Sequence, residues 1–178
     1  MLFDRQVFDS NFLGGVSVAA ADVDGDERAD VVVGAGGGPR VEVFSAAGQL
    51  LRDFMAFDPA FRGGVSVAAA DLDADAFVDL VVGAGPGGEP HVLAVDGRTG
   101  AVRGSFFAAD PAARGGARVG TWFAAGAAGA DIGVVPGGGA GPAADFDGRT
   151  FAPTAGPGRA GPAGWPRPTG TRSRTGSA

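Results

Sequence analysis

The chain has 178 residues, about a quarter of them Gly or Pro, with 20 acids against 14 bases, every base an arginine. With no Cys, no Lys and one His, it cannot carry disulfides, thiolate zinc sites, Schiff-base or P-loop lysines, or an imidazole metal cluster. All the acids lie in residues 1–150, while residues 151–178 hold four Arg and no acid, so the acidic body speaks against nucleic acid as a partner.

In chain order, the opening MLFDRQVFDSNFLGG lacks a basic segment followed by an apolar one, so no secretory signal is expected there. No apolar run is long enough to span a bilayer, so no membrane insertion is expected. Residues 14–36 and 63–85 then match at 17 of 23 positions, and a weaker third copy begins at Gly115. The segments before each Gly pair also match: VFDSNFLGG, AFDPAFRGG and AADPAARGG. These matches divide the chain into the end of a preceding unit (1–13), repeat 1 (14–62), repeat 2 (63–114), a degenerate repeat 3 (115–150) and a disordered basic Pro/Gly-rich tail (151–178).

Each repeat reads as four short strands. GVSVAAA alternates, with Val16, Val18 and Ala20 on one face and Val65, Val67 and Ala69 on the same face of the next copy. VVVG and LVVG are short buried-type runs, RVEVF and HVLAV alternate again, and QLLRDFMAF or AVRGSFFAA closes the unit. Asp96-Gly97 is a hairpin dipeptide of the primed-turn type. Four strands in about 50 residues, with no helical period, predict an all-β chain of β-propeller blades, a partial propeller of two to three. A sandwich or solenoid is the competing arrangement of the same strands. Phe54, Phe57, Phe106 and Phe107 fall at equivalent strand positions and are expected to pack in or between blades.

Between the first two strands of each good repeat lies D-x-D-x-D-x-x-x-D: Asp22, Asp24, Asp26 and Asp30, then Asp71, Asp73, Asp75 and Asp79. Four carboxylates in nine residues repel one another unless something neutralises them. Alternate spacing lets three converge from one loop, and the ninth-position Asp returns from the next strand. Hard oxygen ligands in this number suit Ca²⁺, with Mg²⁺ or Mn²⁺ second. The backbone carbonyl at the seventh position, Arg28 or Phe77, would complete the shell. An EF-hand is excluded, because Glu27 and Ala76 stand where that loop needs Gly, and Val33 and Val82 where it needs Glu.

The Gly pair, the aspartate loop and the following VVVGAGGGP (31–39) or LVVGAGPGGEP (80–90) resemble the FG-GAP repeat, the blade unit of integrin α-chain propellers and many bacterial surface proteins. The resemblance covers about residues 1–150, although the literal Phe-Gly is missing. It places calcium ligands on Asp22, Asp24, Asp26 and Asp30, and on Asp71, Asp73, Asp75 and Asp79. It implies a non-enzymatic module for structural, adhesive or ligand-binding interactions, extracellular or at the cell surface. Its expected partners are a protein or carbohydrate ligand, or further copies completing a propeller. Family loops have Gly at the fourth and sixth positions, whereas here those positions hold Gly25 and Glu27, then Ala74 and Ala76. In the third copy Phe123, Ala125 and Ala127 replace the first three ligands and only Asp131 survives, so that site is lost.

Other chemistry finds little support. Residues 83–88 satisfy G-x-G-x-x-G, but a strand follows where a dinucleotide site needs a helix N-terminus. His91 stands alone in the place of Arg40 and reads as solvent-facing or packed, and Ser17 and Ser66 have no base partner for a hydrolytic triad. Two other readings stand beside the binding module: a propeller part of a carbohydrate-active enzyme, and a degenerate gene fragment without independent function.

Overall fold

The computed structural model describes residues 6–124, 126–139 and 141–154. Blade 1 comprises β1 (Val16–Ala21), β2 (Asp30–Ala35), β3 (Arg40–Phe44) and β4 (Leu50–Met55). Blade 2 comprises β5 (Val65–Ala70), β6 (Asp79–Ala84), β7 (His91–Asp96) and β8 (Val102–Phe107). Blade 3 comprises β9 (Ala117–Trp122), β10 (Asp131–Pro136), β11 (Ala144–Phe146) and β12 (Pro153–Thr154). Each is a four-stranded antiparallel meander in sequence order. Among the described residues all regular structure is β, and no helix is long and apolar enough to cross a membrane.

The repeat offset is visible in the register. Val16 pairs with Ala35 and Ala21 with Asp30 in blade 1, as Val65 pairs with Ala84 and Ala70 with Asp79 in blade 2. The ladders therefore start from the same Asp and end at the same Ala. The turn after β7 is wider than the Asp96-Gly97 dipeptide suggested. Asp96 N–H reaches Ala101 O and the left-handed residue is Gly100 (φ 77°), whereas Gly97 is a close-approach glycine where a Cβ would lie 2.1 Å from Val78 O.

First strands lie side by side, β1 against β5 and β5 against β9, and the sheets fan outward from them. The cores consequently sit between blades. Val32, Val41 and Val43 of blade 1 pack on Val65, Val67, Leu80 and Val82 of blade 2. Leu72, Val81 and Val92 of blade 2 pack on Ile132, Val134 and Phe146 of blade 3. Each such side chain, fully buried, contributes roughly 1.5–3 kcal/mol.

Strands β1 and β5 are both VSVAAA, yet their burial differs. Val16 and Val18 are 49% and 57% exposed, whereas Val65 and Val67 are each 6% exposed beneath blade 1. The difference lies entirely in the neighbour.

The third blade is more complete than its eroded sequence suggested. Phe146 is 1% exposed and packs at a tilt against Phe106, on which Phe151 stacks. With β12 at Pro153–Thr154, blade 3 runs past the boundary at residue 150, and Phe151, just beyond that boundary, fills the space above Gly104. Of the expected tail, residues 155–178 lie outside the described residues, as do residues 1–5 of the expected leading segment. Among residues 6–13 there is a turn closed by Phe12 N–H to Asp9 O, equivalent to the Phe61 N–H to Asp58 O turn before repeat 2.

Candidate metal centre

Two acidic loops cross between first and second strands, and in each the first Asp shapes the loop. Asp22 Oδ1 accepts from Gly25 N–H (2.7 Å) and Asp26 N–H (3.1 Å), and its Oδ2 accepts from Glu27 N–H (2.8 Å). Asp71 does the same for Ala74 (2.7 Å), Asp75 (3.3 Å) and Ala76 (2.9 Å). Wrapping three amides around one carboxylate forces the fourth and sixth residues into the left-handed region: Gly25 (φ 82°) and Glu27 (64°), then Ala74 (64°) and Ala76 (69°). The first loop thus contains one non-glycine in that region and the second contains two, each costing roughly 1 kcal/mol.

The ninth-position Asp supports each loop from beneath. Asp30 is fully buried; its Oδ2 accepts from Val23 N–H (2.8 Å) and Asp24 N–H (3.2 Å), and its Oδ1 from Ala46 N–H (3.1 Å). Asp79, 2% exposed, accepts from Leu72 N–H (3.2 Å), and burial pushes its carboxyl up to about 6.

The structure brings together three of the four predicted carboxylates in each loop. One oxygen from each of Asp22, Asp24 and Asp30 lies within 4.8 Å of the others, and the same holds for Asp71, Asp73 and Asp79. Asp26 and Asp75 stand outside the clusters. Their Oδ1 atoms instead accept from the N–H of Arg28 and Phe77, each at 2.9 Å. The seventh residue's observed role is therefore that of an amide donor. The Phe77 ring also carries the Arg98 guanidinium 4.0 Å from its centroid.

Electrostatics separate the two loops. Asp24 sits above the usual carboxylate range through partial desolvation and the neighbouring charge of Asp30. Asp73, at the same loop position, is held below it, chiefly by a hydrogen bond from Arg103. Arg103 donates Nη2 to Asp73 Oδ2 and Nη1 to Asp79 Oδ1 (3.2 Å), and Arg149 donates Nη2 to the Asp73 carbonyl. Among the described residues, no cationic side chain makes an ion pair with Asp22, Asp24 or Asp30. The first loop therefore fits a divalent cation: three converging carboxylates, one fully buried, with no neutralising partner.

Arg103 carried no signal in the strand pattern. Its position follows from a β-bulge, where Ala94 pairs with Gly104 and Val95 with Val102, so that Arg103 is the extra residue. Bulges re-aim side chains. A bulge at the same place in blade 1 skips Leu51 between Arg52 and Leu50.

Tandem four-stranded blades, packed face to face and each led by a short acidic loop where the loop survives, define a propeller-type repeat protein. Residues 14–50, which span β1 to β3 and the first acidic loop, match the family model of the FG-GAP repeat, and blade 1 is an FG-GAP repeat. Comparison with curated proteins gives no match.

Proposed function

We propose that the chain is a calcium-binding propeller module, with Asp22, Asp24 and Asp30 of the first loop as its principal ligands and Mg²⁺ or Mn²⁺ as weaker alternatives. The carrying observation is the convergence of these three carboxylates around a fully buried Asp30 with no cationic side chain in an ion pair among the described residues. The metal's role is mechanical: it neutralises the loop and ties β1 to β2, stiffening the first hairpin of the blade. Affinity in the range of extracellular modules, about 10⁻⁴–10⁻³ M, makes the site useful where calcium is millimolar, which supports a place outside the cell. There the module serves adhesive or structural contact with a protein or carbohydrate ligand.

Calorimetry with Ca²⁺ on the full chain tests this reading. Binding that is abolished by Asp24→Ala and accompanied by a calcium-dependent rise in melting temperature is the expected outcome. A titration without heat, and a melt indifferent to chelator, would overturn it.

A further inference from the structure

The two acidic loops have the same oxygen geometry but different surroundings. At the bulge of the fourth strand, blade 1 places Leu51 and blade 2 places Arg103. At the turn before the fourth strand, blade 2 carries Asp96-Gly-Arg-Thr and blade 3 carries Asp147-Gly-Arg-Thr. Arg149 of the latter reaches back to the Asp73 carbonyl of the preceding blade, whereas Arg98 of the former rests on Phe77 of its own blade. Three guanidinium groups thus meet the second loop, two of them through its polar atoms and Arg98 through the Phe77 ring.

We infer that Arg103 is the resident cation of the second acidic loop, bridging Asp73 and Asp79 in place of a divalent metal, so that of the two loops only the first is metal-dependent. The guanidinium engages two of the three converging carboxylates at once, the same groups on which an ion there would depend. A bridging guanidinium delivers one positive charge without dehydrating an ion, and its planar fork suits two acceptors. It is nevertheless a partial substitute, because Asp73 Oδ1 is buried without a hydrogen-bond partner. That oxygen is the one a metal would recruit once the arginine is gone. The second loop, with two non-glycine residues in the left-handed region, is accordingly held together whatever the calcium concentration.

This inference rests on the calcium reading for its stoichiometry and on the ion pair alone for its stability. Calcium titrations and thermal melts of the full chain, with and without chelator, separate the two. Wild type should bind one Ca²⁺. Arg103→Leu, which copies blade 1, should bind two, and in chelator its melting temperature should fall by roughly 3–6 °C and recover in millimolar Ca²⁺, while Arg103→Lys falls less. Leu51→Arg, the reverse exchange, should lose the first site and bind none. Two ions in wild type, or a chelator melt of Arg103→Leu equal to that of wild type, would overturn the inference. If neither wild type nor Arg103→Leu binds calcium, the metal reading of the first loop fails, and the chelator melt alone decides the role of Arg103.

Discussion

The Ser17 hydroxyl accepts the Val67 N–H at 3.0 Å, so the first strand of one blade is bonded to the first strand of the next. Ser66 repeats the contact one blade later, accepting from Val119 N–H at 3.2 Å and donating to Ala117 O at 3.0 Å. Serines that suggested no chemistry in the sequence are the polar links of the blade row. Ser17→Ala leaves the Val67 amide unpaired and should cost about 1–2 kcal/mol; Ser66→Ala, which removes two bonds, should cost at least as much. Urea denaturation measures both, and two variants as stable as wild type would show that water replaces the hydroxyls.

Gly15 and Gly64 open their repeats with φ of 71° and 76°, but only Gly64 is crowded. A Cβ on Gly64 would lie 2.5 Å from Gly36 O of blade 1, and one on Gly15 would meet nothing within 4 Å. Gly15→Ala should therefore cost only the backbone strain, about 1 kcal/mol, and Gly64→Ala clearly more, because blades 1 and 2 must separate. Equal losses in thermal melts would contradict this arrangement of the blades.

Asp30 and Asp24 should behave oppositely in chelator. Asp30→Ala strands three amides and should destabilise by about 2–4 kcal/mol even without metal. Among the described residues Asp24 accepts only the Asp26 amide (3.2 Å), and it suffers its neighbours' charge, so Asp24→Ala should be neutral or slightly stabilising there. A chelator melt in which Asp24→Ala is the worse of the two would refute this division of labour.

His91 is the single histidine, which makes its titration unambiguous by NMR. Its ring centroid lies 5.2 Å from Phe57 and 4.8 Å from Phe107, with Nε2 2.6 Å from Ser105 Oγ. Burial holds its pKa below the ordinary 6.5, against the opposing charge of Glu89. Because the folded value is the lower one, the neutral ring favours folding: the contribution is complete above about pH 6.5 and is lost as pH falls below it. A midpoint at or above 6.5 would show that the ring is solvated.

Much of the fold was legible because a duplicated sequence displays its own period. The Gly pairs, the strand alternation and the Asp spacing each recur, and each recurrence marks a backbone requirement. The loop carboxylates could be read for the same reason, although Asp26 and Asp75 turn to local amides instead. Phe107, grouped with the packing aromatics, is 36% exposed, its ring lying beside that of His91. What alternation could not reveal was Arg103, because a bulge breaks the two-residue period at the position that matters. The third repeat was read as degenerate, and what alternation could not reveal there was the packing of Phe146 and Phe151 on Phe106.

The first strand of blade 3 differs from its two counterparts in a particular way. Where β1 presents Ser17, Ala19 and Ala21 to its neighbour and β5 presents Ser66, Ala68 and Ala70, β9 presents Arg118, Gly120 and Trp122 at the equivalent positions. A charged and an indole side chain replace the small residues over which the next pair of valines would slide. The row therefore has direction: its leading side presents the exposed Val16 and Val18, and among the described residues its trailing side carries Arg118 and Trp122 where such a pair would need small residues. The two ends of the row are thus not matched in the way that head-to-tail growth of a filament requires, growth that follows when a surface fits the opposite end of its own molecule.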